Sequence, residues 1–439
     1  MSRSKNIFRK EVIGWSLYDF ANTIYSMNIL SLYFKKWVVE DLGKDGLYYD
    51  ISYSLSMLLA GLLMPALGTL SDHSDKKKLF LMLFTFSCCL AIGIVPIVPL
   101  SLFGFIIILF AVSNFFYEGG MVFYNSLMYS VSSGKEARFI SGFGVALGYL
   151  GAIVGIIIVL PFVTGELFGT DIGFIAGWGR AGAFAPTAIL FALFSIPIFL
   201  WVKERKELVK SGSAKFKRAY RDVIEAIKDS KKYPGVMRFL IADYFFEDAV
   251  ATVILNIGIY SSIVLGFSDK DLSVFLIITP ISAIVGSFLI GKISQSISLK
   301  RMMTFIIYGW IVALIFMMLL EDKALIYIVG SFIGILLGGL WTVSRPLLAE
   351  MVPKNELGRF FGLYSLSGRA AAVIGPPIWG LIVYLFTPGR SLGERAAGMF
   401  NLSDMSAEKL PYRLAVVSLI IMMLIGLTIF HKLPEKKDG

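Results

Sequence analysis

The stretch GWSLYDFANTIYSMNILSLYF, residues 14–34, is long and apolar enough to cross a lipid bilayer. A helix needs about 20 predominantly apolar residues to cross a hydrocarbon core of about 30 Å. The same stretch contains an ionisable acid, Asp19, and two amides, Asn22 and Asn28. Polar groups inside a membrane helix are costly and typically mark a functional interior. The stretch therefore predicts a membrane-spanning helix with a polar face.

Comparable apolar windows recur along all 439 residues, of which 56% are hydrophobic and 16% are charged. Soluble domains are about one quarter charged, so the composition predicts a multi-pass membrane protein. We place twelve spans at residues 13–34, 51–70, 79–99, 101–129, 139–163, 184–202, 239–265, 272–291, 302–320, 324–350, 360–386 and 412–431.

The positive charges indicate the orientation in the membrane. Of 41 Lys and Arg residues, 29 fall on the side of the N-terminus in the twelve-span arrangement and ten on the other side. Because cytoplasmic loops are enriched in Lys and Arg, both termini are predicted to be cytoplasmic. We thus interpret the net charge of +10 as a consequence of the membrane topology. It also favours contact with anionic membrane lipids, and we expect no nucleic-acid partner.

The longest polar segment separates six spans from six. We predict an N-terminal six-helix bundle over 1–202, a basic cytoplasmic linker over 203–235 and a C-terminal six-helix bundle over 236–439. Apolar linker residues recur at helical spacing, which predicts an amphipathic helix on the membrane surface. They are Phe216, Tyr220, Val223, Ile224 and Ile227.

The two halves also resemble each other. Asp19 precedes Asn28 by nine residues in span one, and Glu247 precedes Asn256 by nine residues in span seven. KEARFISGFG at 135–144 likewise resembles NELGRFFGLY at 355–364, which sets Asn125 opposite Arg345 and Tyr149 opposite Arg369. Parallel six-helix repeats are typical of major facilitator transporters, which bind substrate between their halves. We predict an all-α membrane protein with twelve transmembrane helices in two pseudo-symmetric six-helix bundles.

The loop after span two resembles the major facilitator signature G-x-L-x-D-[RK]-x-G-[RK]-[RK]. It reads GTLSDHSDKKK over 68–78, with His73 at a usually basic position and Asp75 in place of the second glycine. The resemblance implies a conformational gating role for Gly68, Asp72, Lys76 and Lys77. The alternative is a solvated turn that only follows the charge rule.

Charged residues inside the predicted spans are Asp19, Glu118, Asp243, Glu247, Asp248, Arg345 and Arg369. Each costs roughly 2.5–3.5 kcal/mol at a helix centre, and two arginines cannot neutralise five acids. We predict that proton coupling involves one or more of Asp19, Glu118, Glu247 and Asp248. Asp243 lies five residues after Arg238, so we expect water or Arg238 to reach it. The alternative to proton coupling is a static salt-bridge network.

Arg345 and Arg369 are candidate anchors for a substrate carboxylate, because a guanidinium stays charged when buried and binds carboxylates in two-point contacts. Nearby acids would then take an ammonium group, which together suits a zwitterion such as an amino acid. The alternative is that both arginines only neutralise the acids. Further candidate cavity residues are Asp19, Asn22, Tyr25, Tyr124, Asn125, Tyr149, Asn256 and Trp341. Two polar stripes are expected to face a central cavity, namely Asp19–Asn22–Ser26 and Asp248–Thr252–Asn256.

The glycine-rich run GFGVALGYLGAIVG, residues 142–155, lies inside span five. We interpret it as a close helix contact through small residues, and not as a nucleotide-binding loop.

Several other classes of protein lack support in the sequence. The two cysteines, Cys88 and Cys89, are adjacent and the two histidines lie at segment ends, so no metal-ligand spacing occurs. No G-x-x-x-x-G-K-[ST] motif is present, which argues against direct use of ATP. An intramembrane aspartyl protease would need a G-x-G-D partner for Tyr18-Asp19, and none follows. We expect no enzyme activity and no cofactor.

Several motifs resemble the vacuole effluxer-like branch of the major facilitator superfamily. They are GWSLYDFANTIY (14–25), YNSLM (124–128), SGFGVALGYLG (141–151), DYFFEDAVAT (243–252), GGLWTVSRPLLAE (338–350) and GRFFGLYSLSGR (358–369) followed by GPP (375–377). The resemblance implies a transporter of amino acids, since fungal members of the branch are thought to release them from the vacuole. Ala249, Trp341, Tyr129 and Pro346 depart from the family pattern.

We therefore predict a secondary transporter that moves small zwitterions such as amino acids by alternating access. We expect it to be a symporter that couples this transport to protons. One alternative is an exporter of amphipathic or drug-like compounds, and another is a membrane sensor or scaffold without transport. Short loops favour a protein of a prokaryotic plasma membrane, and we expect a monomer. Release from a vacuole would correspond there to uptake into the cytoplasm.

Overall fold

The computed structural model describes most of the chain. The described residues are 9–73, 76–131, 135–167, 170–171, 178–204, 221, 224–225, 227–228, 230–294, 296–352, 357–370, 372–399 and 403–434.

The described residues are predominantly helical. The helices are α1 (Lys10–Tyr25), α2 (Leu47–His73), α3 (Lys77–Gly93), α4 (Phe103–Val131), α5 (Lys135–Thr164), α6 (Phe184–Trp201), α7 (Val236–Ile263), α8 (Asp269–Ile293), α9 (Leu299–Leu319), α10 (Lys323–Met351), α11 (Leu357–Ala370), α12 (Gly375–Phe386), α13 (Ser391–Met399) and α14 (Asp404–His431). A small antiparallel pair, β1 (Glu166–Leu167) and β2 (Thr170–Asp171), follows α5.

Every predicted span contains a helix. The helices α1 to α10 fall in the first ten spans in order, α11 and α12 share the eleventh, and α14 is the twelfth. Eight stretches of the described residues are long and apolar enough by themselves to cross a membrane, and α7 is not among them. The reason is its content of Asp243, Glu247 and Asp248, which makes α7 one of the polar spans that the repeat predicts.

The first span does not remain α-helical. Helix α1 passes into π-helical turns at Ser26–Tyr33 and Trp37–Asp41, separated by one α-helical turn at Phe34–Lys36. Such turns are rare and occur frequently at functional sites. This change in helix type could not be predicted, because apolar periodicity does not distinguish the two geometries over so short a length.

Two amides in equivalent positions make the same local contact. The Asn28 Nδ2 donates to the Ile24 carbonyl at 3.0 Å, and the Asn256 Nδ2 donates to the Thr252 carbonyl at 2.8 Å. Both side chains are fully buried. The shared bond supports the predicted relation between spans one and seven.

The chain forms two compact units, and the first contains Met1–Trp37 and Leu59–Tyr220. A close helix contact in this unit joins α1 and α5. A Cβ atom on Gly151 would overlap the backbone of Phe20, and one on Gly148 would lie 3.1 Å from Thr23 Oγ1. The predicted role of the glycine-rich run in close helix packing is therefore confirmed.

The second unit contains Val38–Leu58 and Arg221–Gly439. Helices α8 and α10 approach closely in it, since a Cβ atom on Gly338 would overlap the Ala283 carbonyl oxygen. The start of α2 belongs to this unit and lies close to α12. A Cβ atom added to Gly380 would lie 2.6 Å from Asp50 Oδ2. The predicted division at 202 and 235 remains a prediction, and most of the predicted linker helix lies outside the described residues.

A cluster of charges ties the loop between α9 and α10 to α14. The Glu321 carboxylate pairs with Lys409 at 3.2 Å and with Arg413 at 2.5 Å. These partners, Lys409 foremost, lower the pKa of Glu321 below its ordinary value. A carboxyl whose pKa is lowered by folding stabilises the protein above its unfolded pKa, and this contribution is lost as the pH falls through the folded pKa.

We therefore expect Glu321→Gln to lower the melting temperature slightly near neutral pH, since exposed ion pairs contribute about 0.2–1 kcal/mol. The difference in melting temperature between Glu321→Gln and the wild type should be constant at about pH 6–8 and should shrink below about pH 4. Thermal unfolding in detergent as a function of pH measures it. Glu350→Gln, which removes an exposed carboxylate, is the control. A difference that grows on acidification would contradict the assignment.

Candidate functional site

Asp19 lies beside a group of stacked aromatic rings in the first unit. Trp15 stacks on Tyr124 with ring centroids 4.7 Å apart, and Tyr18 stacks on the same ring at 4.9 Å. The Trp15 Nε1 also donates to the Tyr124 carbonyl at 3.2 Å. The Asn22 Nδ2 donates to Asp19 Oδ1 at 3.3 Å. The surrounding rings are buried, whereas Asp19 is only half-buried.

The Asp19 carboxylate also borders α5. A Cβ atom on Gly144 would lie 2.8 Å from Asp19 Oδ2, so a glycine is needed where the carboxylate crosses the helix contact. No cationic side chain among the described residues of this unit pairs with Asp19.

The other predicted residues of the first unit differ in accessibility. Tyr25 is fully buried, and its hydroxyl shares a 2.8 Å hydrogen bond with Ser113. Tyr149 is half-buried and Asn125 is exposed. Glu118 is half-buried on α4 and interacts with neighbouring groups.

The predicted gating motif lies at the turn between α2 and α3. It comprises Gly68 and Asp72 in α2, Lys76 in the turn and Lys77 at the start of α3. The Asp72 side chain lies outside the described residues. The following Lys78 donates its backbone N–H to Glu204 and its Nζ to the Val202 carbonyl at 3.0 Å. These bonds tie the start of α3 to the end of α6.

In the second unit, Glu247 connects α7 to α10. The Trp341 Nε1 donates to Glu247 Oε2 at 3.2 Å. Arg345 follows Trp341 by one helical turn and interacts electrostatically with Glu247. Trp341 is 40% exposed and Arg345 is also exposed. A carboxylate, a guanidinium and an indole ring thus lie together at an accessible surface.

Asp243 is a functional candidate that the sequence does not reveal. The expectation that water or Arg238 reaches it is wrong, because Asp243 is fully buried and Arg238 donates to the Lys432 carbonyl at 3.0 Å. Within the part of the chain that the structure describes, neither Asp243 oxygen has a hydrogen-bond partner. The i, i+4 spacing of Asp243 and Glu247, which places both on one helix face, is the one signal that could have found it.

Asp248 lies on a different face of α7 and caps α12. Both of its carboxylate oxygens accept from the Gly375 backbone N–H at 3.0 Å. A carboxylate at a helix N-terminus interacts favourably with the helix dipole. The predicted stripe formed with Thr252 and Asn256 is fully buried, so it lies at a helix contact in this unit and not at an accessible surface.

Arg369 lies in α11, and its side chain is outside the described residues. No group of three or more His, Cys, Asp or Glu side chains that could hold a metal ion occurs within the part of the chain that the structure describes.

Twelve transmembrane helices in two pseudo-symmetric six-helix bundles define a major facilitator transporter, as predicted. A mutant of the nucleoside transporter NupG matches 95% of this chain and 98% of its own with a TM-score of 0.72 and 14% identity. A bacterial homologue of the human lysosomal transporter Spinster, in an inward-facing and unoccupied conformation, matches with a TM-score of 0.72 and 13% identity over 98% of this chain and 97% of its own. At these identities the likeness shows the fold.

The chain belongs to the family described as vacuole effluxer Atg22 like, whose model matches residues 48–135 and 128–385. It is 25% identical to the uncharacterised MFS-type transporter YxiO of Bacillus subtilis, over 98% of this chain and 96% of that protein. It is also 25% identical to autophagy-related protein 22 of Yarrowia lipolytica, over 56% of this chain and 45% of that protein. The predicted family is thus confirmed.

Proposed function

We propose that this membrane transporter is a secondary carrier of small zwitterions, most simply amino acids, that works by alternating access coupled to protons. The observation that supports it best is the exposed Arg345 beside Glu247 and Trp341 in the second unit. A guanidinium inside a membrane protein is costly and is suited to bind a carboxylate through two parallel hydrogen bonds.

Glu247 supplies the complementary charge within the same unit. It is half-buried and interacts with Arg345 across the contact of α7 and α10. A substrate carboxylate bound to Arg345 would draw the guanidinium away from Glu247. The substrate ammonium would then replace the guanidinium as the partner of the Glu247 carboxylate. Both ends of an amino acid would thus meet a group of opposite charge.

Proton coupling is supported by the excess of acids over cations inside the membrane. Asp19, Asp243, Glu247 and Asp248 lie in spans one and seven, and Arg345 is the cation next to Glu247. Carboxyl groups that exchange a proton during the cycle avoid the cost of a permanent buried charge.

Export of amphipathic compounds is the second candidate, and the exposed indole of Trp341 favours it. An aromatic ring at an accessible site would stack on an apolar or cationic ligand. The arginine distinguishes the two, because an amphipathic cation gains nothing from a guanidinium.

We further propose that the protein resides in a prokaryotic plasma membrane as a monomer, with both termini in the cytoplasm. The excess of Lys and Arg in the loops on the side of the N-terminus supports this orientation. In that orientation, the direction that matches vacuolar release is uptake into the cytoplasm.

The substrate class is tested with purified protein in liposomes and a panel of labelled compounds. The panel contains amino acids, their carboxamides, the corresponding amines without a carboxylate and amphipathic cations. We expect uptake of amino acids, and not of the carboxamides or amines, because only the former present a carboxylate to Arg345. Uptake of amphipathic cations alone would establish the second candidate. A failure to bind or transport any compound would contradict the amino-acid assignment.

A further inference from the structure

Asp243 is a buried carboxyl group to which the substrate site gives no role. Its side chain has no exposed surface, and neither oxygen has a hydrogen-bond partner among the described residues. An ionised carboxylate in such a place costs several kcal/mol because it loses its hydration without compensation. The protonated carboxyl has no net charge and avoids most of this cost. Among the groups that the structure describes, the packed arrangement of α7 therefore favours Asp243 in its protonated form.

The groups that face Asp243 come from three helices. Glu247 lies one turn further on α7, Ser344 faces Asp243 from α10, and Tyr364 lies close to it on α11. The Ser344 hydroxyl donates to the Leu340 carbonyl at 2.8 Å. From the described parts of α8, α12 and α14, no charged group faces Asp243. Among the described side chains of α7, α8, α10, α12 and α14, no cation offsets a negative charge at this position directly.

Glu247 offers a route from this buried group to the accessible surface. It is half-buried, and it interacts with Trp341 and with the exposed Arg345. One helical turn, about 5.4 Å along the axis, separates it from Asp243. When the site opens to water, the O–H bond of Asp243 would break and an O–H bond would form at Glu247, which would then release the proton to water. Reprotonation follows the reverse path.

We propose that Asp243 is the carboxyl group whose protonation permits this packing of α7, and that its proton is the one coupled to transport. Glu247 relays the proton between Asp243 and the accessible surface. The inference rests on the proposed proton-linked function and names the group that performs the coupling. A deprotonated Asp243 would keep the carrier out of this conformation until a proton returned.

The test uses Asp243→Asn, which imitates the protonated form in size and charge. In liposomes we expect this variant to retain substrate counterflow, which needs no net proton movement, with a rate that no longer depends on pH. Accumulation driven by an inward proton gradient should be lost. Asp243→Glu should retain gradient-driven accumulation, and Glu350→Gln, at an exposed position of α10, is the control.

The outcomes separate this inference from the proposed function. A wild-type protein without gradient-driven accumulation would overturn proton coupling as a whole, and this inference with it. If the proton gradient drives accumulation by both the wild type and Asp243→Asn, the role of Asp243 is overturned while proton coupling stands. Loss of counterflow in Asp243→Asn would also overturn it, as would a melting temperature below that of the wild type. The amide variant should be at least as stable, because the wild type must take up a proton to reach the packed arrangement and the amide is already uncharged.

Discussion

Replacing Arg345 with glutamine is expected to lower the uptake of an amino acid at low concentration by roughly 30-fold or more. In the proposed site the guanidinium binds the substrate carboxylate, and removal of one partner of a desolvated charge pair costs about 2–5 kcal/mol. The variant would also leave Glu247 without the cation that interacts with it. Initial rates of labelled uptake into liposomes, at matched amounts of reconstituted protein, measure the loss.

Two further variants show whether this effect belongs to the guanidinium. Arg345→Lys keeps the charge but loses the planar two-point contact, so we expect an intermediate rate. Arg238→Gln removes the same charge from an arginine that donates to a backbone carbonyl, and it should leave uptake unchanged. Equal rates for Arg345→Gln and the wild type would show that Arg345 serves only to neutralise acids.

Replacing Gly151 with alanine is expected to destabilise the first unit strongly. The added methyl group would overlap the Phe20 backbone at the contact of α1 and α5. Overpacking costs about 1–3 kcal/mol, and a backbone atom cannot move aside as a flexible side chain can. We expect a lower melting temperature in detergent and a smaller yield of monodisperse protein.

Gly104→Ala is the matched control for this change. A Cβ atom at Gly104 would meet no atom within 4 Å, and alanine favours a helix over glycine by about 0.5–1 kcal/mol. The control should therefore be as stable as the wild type or slightly more stable. Equal melting temperatures for Gly151→Ala and Gly104→Ala would contradict the close contact between α1 and α5.

Much of the fold could be predicted from the sequence because its causes are local. Each span is an apolar run, and the hydrocarbon core imposes its length. The glycines of span five, such as Gly148 and Gly151, recur along the helix, and they contact α1 in the close packing that was predicted. The change to π-helical turns at Ser26–Tyr33 has no comparable local signal.

The candidate site was less predictable, because its properties depend on partners from distant helices. Nothing near Asp248 in the sequence shows that it caps α12 through Gly375. This contact exists only because span eleven is interrupted, so that α12 begins beside α7. Asp243 illustrates the opposite case. That it has no hydrogen-bond partner among the described residues follows from the helices that surround it and not from its own segment. The pairing of Glu247 with Trp341 likewise joins residues that are far apart in the chain.

The distribution of acids on α7 suggests a division of labour in the proposed cycle. Asp248 has a fixed structural partner in Gly375, whereas Glu247 contacts groups at an accessible surface. Asp243 is closed to solvent, and no described residue forms a hydrogen bond with its carboxyl group. Three carboxyl groups within two turns of one helix thus lie in three environments, and each environment suits a different role.

The most direct test of proton-linked transport is amino-acid uptake by the wild-type protein in liposomes with an imposed inward proton gradient, with and without a protonophore. We predict accumulation above the external concentration that requires the gradient and that the protonophore abolishes. Uptake that is equal with and without the gradient, or that only equilibrates across the membrane, would contradict the proposed coupling.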